Sequence, residues 1–166
     1  MKAYVLGIIG ASTDAGKLIK GLRTYSFVKE AYLLYGTYDL IAKVEVEKPT
    51  ELSRSLVRFR EEGIAGTASY IVNANHLDYE SPSCKKTKKS AYLFCRVSEY
   101  IDDSFIREVL SDSTSLCEAA YVFGAYDLIF SVNEKVRDQV FRKVGIPVRK
   151  IPGIISIQTF LTLNDF

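Results

Sequence analysis

The sequence holds a single histidine, a single methionine, three cysteines, four prolines and no tryptophan in 166 residues. One histidine excludes an HxxxH pair, and neither a GxSxG motif nor a phosphate-binding glycine loop occurs. Nucleophile, metal and nucleotide chemistry therefore lack their usual parts, and no cofactor is called for. The cysteines, Cys84, Cys95 and Cys117, are odd in number, widely spaced, and without a CxxC pair or clustered histidines. That pattern speaks against a disulfide framework and against a zinc site. An excess of one charge is missing too, with 22 Lys plus Arg against 20 Asp plus Glu and a formal net charge of +2, so no global field favours a polyanionic partner. The one basic concentration is Lys85, Lys86, Lys88 and Lys89, which a polar segment carries as a solvated run more often than as a phosphate contact. Long apolar runs are absent as well. Tyr4 to Ile9 is too short to cross a bilayer and lacks the charge and cleavage pattern of a signal peptide, so the expectation is a cytoplasmic protein without a membrane partner.

What the chain does have is an internal repeat. Displaced so that Ala3-Tyr4 falls on Ala91-Tyr92, the sequence also brings Asp14 onto Asp102, Leu22 onto Leu110, and Glu30-Ala31 onto Glu118-Ala119. In the densest stretch Tyr35-Gly36-Thr37-Tyr38-Asp39-Leu40-Ile41 lies on Phe123-Gly124-Ala125-Tyr126-Asp127-Leu128-Ile129. After a one-residue deletion, Ile64-Ala65-Gly66 answers Ile151-Pro152-Gly153. The division expected is a first domain over 1–74, a basic polar linker over 75–90, and a second domain over 91–166.

Each copy reads strand, helix, strand, strand, helix, strand. Ala3 to Ile9 is a first strand; Ser12-Thr13-Asp14 then offers N-cap chemistry ahead of Leu18, Leu22 and Tyr25 at helical spacing. Val28 to Tyr35 and Tyr38 to Val46 flank Gly36-Thr37, which reads as a tight two-residue hairpin. Pro49 opens a helix that Gly63 closes, and a strand runs from Thr67 to about Ala74. The second copy follows: Tyr92 to Val97, a helix near Asp102 to Leu110, strands Leu116 to Phe123 and Tyr126 to Val132, a helix Val136 to Val144 ended by Gly145, and a strand Ile154 to Leu163. The order βαββαβ predicts an α+β fold of two ferredoxin-like units. Strands apolar on both sides want a second cover beyond the helices, which predicts the two sheets packed face to face as an internal pseudo-dimer.

Gly36 and Gly124 suit a turn that needs positive φ. Asp39 and Asp127 admit two readings: a carboxylate that caps the turn through backbone N–H groups, or one that holds a ligand's ammonium group by a charge-assisted hydrogen bond. Tyr38 and Tyr126 fit a half-buried sheet, with ligand contact as the alternative. His76, at the start of the linker, reads as a solvated loop residue.

The stretch Glu30 to Ile41, together with Ile151-Pro152-Gly153-Ile154 ahead of an apolar strand, resembles the effector-binding domain of the Lrp/AsnC transcriptional regulators. The resemblance covers both halves apart from the linker. It implies a ferredoxin-like domain that dimerises through its sheets, assembles into rings and binds amino acids between dimers. On that resemblance the ligand-binding set is Gly36, Tyr38, Asp39, Gly124, Tyr126, Asp127 and Thr159. Threonines line the family's pocket from its last strand; here Tyr70 and Val72 stand there in the first copy, Ile157 and Thr159 in the second, so the two sites should differ. Met1 and Lys2 leave the expectation of a stand-alone tandem without the family's helix-turn-helix, hence no direct sequence-specific DNA binding. The function implied is sensing of a small molecule, an amino acid, by binding and oligomerisation and without catalysis; the partners are that effector, further copies of the chain, and helix-turn-helix paralogues. Two other readings stand beside it: an assembly module that joins full-length regulators, and a cofactor-poor ferredoxin-like barrel enzyme with Asp39 and Asp127 as its bases.

Overall fold

The computed structural model describes every residue except Lys85, Lys86 and 164–166, and the side chains of Ser83 and Arg137. Two lysines of the basic cluster therefore lie outside the described residues. The chain divides into two compact units, one formed by Met1–Val72 with Leu163, the other by Asn73–Thr162.

The first unit runs β1 (Lys2–Ile9), α1 (Ala15–Leu22), β2 (Val28–Tyr35), β3 (Leu40–Glu45), α2 (Pro49–Glu61) and β4 (Ile64–Val72). Its antiparallel strands lie in the order β4-β1-β3-β2. Helix α1 starts where the cap chemistry predicts: the Asp14 carboxylate accepts from Lys17 N–H at 3.0 Å, a bond that also holds this carboxyl below its ordinary range. Helix α2 begins with Pro49, and Glu51 reaches back to accept from Glu47 N–H at 2.9 Å. Gly63 ends it at φ 105°, where a Cβ would stand 2.4 Å from Thr13 Oγ1, so only glycine fits. The core forms where period-2 positions of β1 and β3 (Ala3, Val5, Leu40, Ala42, Val44) meet Leu18, Ile19 and Leu22 of α1 and Leu52 and Phe59 of α2. Tyr4, Leu6 and Ile41, on the alternate positions, are buried as well.

The second unit repeats the plan with β6 (Ala91–Val97), α3 (Asp103–Asp112), β7 (Leu116–Phe123), β8 (Leu128–Val132), α4 (Arg137–Val140), α5 (Ile146–Arg149) and β9 (Ile154–Leu163). Before them comes β5 (Asp78–Glu80), and the strand order is β9-β6-β8-β7-β5.

Four readings of the sequence differ from the structure. Part of the segment expected as a linker is structure: Asp78–Glu80 pairs antiparallel with Glu118–Ala120, and Leu77 is fully buried in the second core. The same segment is tied down by a disulfide, Cys84 to Cys117, with Cα atoms 5.4 Å apart, a pairing that spacing alone did not reveal. Lys89, read as part of a solvated run, is 0% exposed and its Nζ donates to Cys84 O at 3.0 Å. Nor does Gly145 end the last helix. Pro147 has no N–H to donate, so the chain passes through a π turn over Phe141–Gly145, in which Ile146 N–H reaches back to Phe141 O, and stays helical to Arg149. The buried stripe is consequently Val140, Val144 and Val148, while Val136 is 48% exposed.

Candidate functional site

The Gly-x-Tyr-Asp loops sit in the same place in both units. In the first, β1 pairs with β3 as far as Gly7 opposite Leu40. Asp39 is the last residue before β3: its C=O accepts from Leu34 N–H at 2.8 Å and its N–H donates to Gly7 O at 2.9 Å. Leu34 and Asp39 thus close a loop of Tyr35 to Tyr38, longer than the two-residue hairpin read from Gly36-Thr37. The extra residues follow from Asp39 facing β1 as well as β2. Beyond Gly7 the neighbouring chain has already turned away, and β1 shifts register against β4 between Ile8 and Ile9. The Ile9 N–H would be left without a ladder partner. Asp39 Oδ2 supplies one, accepting from Ile9 N–H at 2.8 Å.

The second unit reproduces this bond for bond. Val122 N–H donates to Asp127 O at 2.9 Å, Asp127 N–H to Cys95 O at 2.9 Å, and Val97 N–H to Asp127 Oδ2 at 2.9 Å, with the register of β6 against β9 shifting between Arg96 and Val97. Gly36 and Gly124 have φ 144° and 151°, values that side chains rarely tolerate. Both glycines are exposed, while Tyr38, Asp39, Tyr126 and Asp127 are half-buried. Tyr35 and Phe123, just before the glycines, are 72% and 60% exposed.

Of the two readings of the aspartates, a structural bond is present in both copies, but to the end of a neighbouring strand and not to the loop's own N–H groups. That bond uses one carboxylate oxygen. Each Asp therefore keeps an acceptor at a half-buried loop edge, the geometry required to receive a cationic group.

The copies differ around this shared frame. Arg96 lies over Tyr126, its guanidinium carbon 5.6 Å from the ring centroid, and its Nε donates to Ala125 O at 3.1 Å. Tyr126 meets Phe94 edge to face at 5.5 Å, and Phe94 meets Phe160 in the same way at 5.3 Å. Ile8, Leu6 and Tyr38 hold the corresponding places in the first unit. Thr159 is exposed on β9 opposite Leu93. Leu93 lies four residues before Val97 on β6, roughly 13 Å at strand rise, so Thr159 is not brought beside Asp127.

An aromatic group near the second loop was missed. Tyr121, where the first copy has Leu33, stacks on Tyr100 at 5.4 Å; its hydroxyl donates to Ile101 O at 2.8 Å and accepts from Ile101 N–H at 3.1 Å. Burial pushes this phenol above its ordinary range. His76, exposed as expected, has its ring 5.1 Å from Tyr100 and 5.9 Å from Tyr121.

Over 41% of this chain and 92% of its own, the crystal structure of FFRP-DM1 is 31% identical, with a TM-score of 0.38. The hypothetical protein PHS023 from Pyrococcus horikoshii is 30% identical over 45% of this chain and 94% of its own, with a TM-score of 0.39. Each of these two matches covers less than half of this chain. The siroheme decarboxylase NirDL, in complex with an iron-uroporphyrin III analogue, matches 99% of this chain and 71% of its own at a TM-score of 0.64 and 8% identity, a likeness of α+β fold alone. No protein-family profile and no curated protein matches the chain.

Proposed function

We propose that this protein is a small-molecule sensing or regulatory module of the Lrp/AsnC kind, taking an amino acid and acting through binding and assembly, without chemistry of its own. The observation that carries the reading is the repeated aspartate. Asp39 and Asp127 are each fixed by a backbone N–H of the adjacent strand at 2.8 and 2.9 Å, and each keeps one oxygen for a ligand. A carboxylate whose position is already set loses little entropy on taking up an ammonium group. Identity to FFRP-DM1 over one domain length supports the family part of the proposal.

The same reading takes the two units as an internal pseudo-dimer packed through its sheets, a tandem stand-alone form that assembles further into homo-oligomers. Tyr35 and Phe123, exposed beside the loops, support assembly there. Helix-turn-helix paralogues are its expected protein partners, and it is not expected to read DNA sequence itself. Among the described residues no helix is long and apolar enough to cross a membrane. We place the protein in the cytoplasm; the Cys84–Cys117 bridge then marks it as one of the intracellular proteins that keep a disulfide, a class best known from hyperthermophiles.

The test is a melting-temperature screen of the purified chain against the twenty amino acids, with light scattering of the protein in the presence of whichever one binds. A shift with one or a few amino acids supports sensing. No shift with any of them, while the chain co-purifies with a helix-turn-helix protein, supports the assembly module instead.

A further inference from the structure

We infer that Arg96 receives the carboxylate of the ligand, so that the loop of the second unit, and not that of the first, is built for a zwitterion. The inference rests on the sensing reading above and specifies which of its two sites works and why.

Arg96 is exposed on β6, one residue before Val97, whose N–H holds Asp127. Two contacts set the orientation of its guanidinium: Nε donates to Ala125 O at 3.1 Å, and Cζ lies over the Tyr126 ring, 5.6 Å from its centroid. Tyr126 is itself braced from below by Phe94, which is fully buried. Among the described residues the guanidinium makes no other hydrogen bond or ion pair, and none with Asp127. The Nη groups, the two-pronged end that suits a carboxylate, are therefore left over. Asp127 likewise keeps Oδ1 without a protein partner among the described residues. One loop thus presents a cation and an anion held apart, each fixed by other bonds and neither neutralised by the other.

That arrangement matches a ligand carrying both charged groups on one carbon, an α-amino acid, better than it matches a plain amine or a plain acid. In the first unit Asp39 is present but Ile8 stands where Arg96 does, and an exposed aliphatic side chain offers a carboxylate nothing. The first loop keeps the structural half of the device and lacks the second charge.

The experiment titrates the full-length protein with each L-amino acid and with its C-terminal amide, which keeps the ammonium group and the side chain but removes the carboxylate charge. Arg96→Gln and Arg96→Lys are measured alongside. The expected result is that the acid binds, its amide does not, and Arg96→Gln weakens the acid by about ten- to a hundred-fold. Arg96→Lys keeps a charge without the fork and should fall between Arg96→Gln and wild type, which separates carboxylate recognition from mere support of Tyr126. Full-strength binding in Arg96→Gln, or an amide that binds as well as its acid, overturns the role of Arg96 while leaving sensing intact. Silence of wild type toward every amino acid overturns both. The comparison of acid with amide needs no variant, so a folding defect in Arg96→Gln cannot leave the assignment undecided.

Discussion

Asp39 Oδ2 accepts a hydrogen bond from Ile9 N–H at 2.8 Å, tying the residue before β3 to the end of β1, and Asp127 does the same for Val97 at 2.9 Å. The repeat has preserved not only a residue but a bond that spans two strands. An aspartate one position later would face the other side of the sheet, and a glutamate would carry its oxygens past the strand end.

These bonds predict a stability cost separable from any ligand effect. Asp39→Ala or Asp127→Ala leaves a half-buried N–H without a partner and should cost about 1–3 kcal/mol. The Asn variants, which keep an acceptor oxygen, should cost less. Urea unfolding of the four variants checks this; Ala and Asn variants equal to wild type would show that water replaces the carboxylate at no cost.

A second prediction concerns acid stability. Glu134 pairs with Lys143 at 3.1 Å and accepts from Ser115 Oγ at 3.0 Å, and these contacts, Lys143 first, hold its carboxyl below the ordinary 4.5. A depressed carboxylate contributes stability above its unfolded value and loses it as pH falls through the folded one. Glu134→Gln should therefore melt below wild type at neutral pH, and the difference should close as pH falls below 4.5 and through the lower folded value. A gap that is constant with pH would contradict the assignment.

The cysteines give a third. With Cys84 and Cys117 joined and Cys95 fully buried, its thiol pushed up to about 12 by burial, the folded protein should not react with a thiol reagent at neutral pH. Unfolded without reductant it should show one thiol per chain, and after reduction all three. Rapid labelling of the native protein would contradict either the bridge or the burial of Cys95.

Much of the fold was legible because periodicity and caps report local geometry. Alternation in Leu40, Ala42 and Val44 gave the strand face, and Asp14 and Asp102 gave helix starts. What escaped depends on contacts distant in sequence. Cys84 and Cys117 meet only because the segment before β6 folds back along β7. Gly145 looked like a helix stop since a π turn leaves no trace in residue type apart from Pro147 two positions on. At the site the Asp was legible from the repeat, but its partner was not: Ile9 contributes a backbone N–H, which any residue would. Arg96 was hidden by the repeat itself, because attention to matched positions passes over the place where Ile8 faces an arginine.

The central claim is that the Gly-x-Tyr-Asp loop is a ligand site and not merely a brace. Calorimetric titration of wild type, Asp39→Asn and Asp127→Asn with the amino acid that raises the melting temperature tests it most directly. The account predicts that Asp127→Asn loses about ten- to a hundred-fold in affinity while Asp39→Asn keeps wild-type binding. Equal, unchanged affinity in both variants would contradict it and leave the two aspartates as strand ties alone.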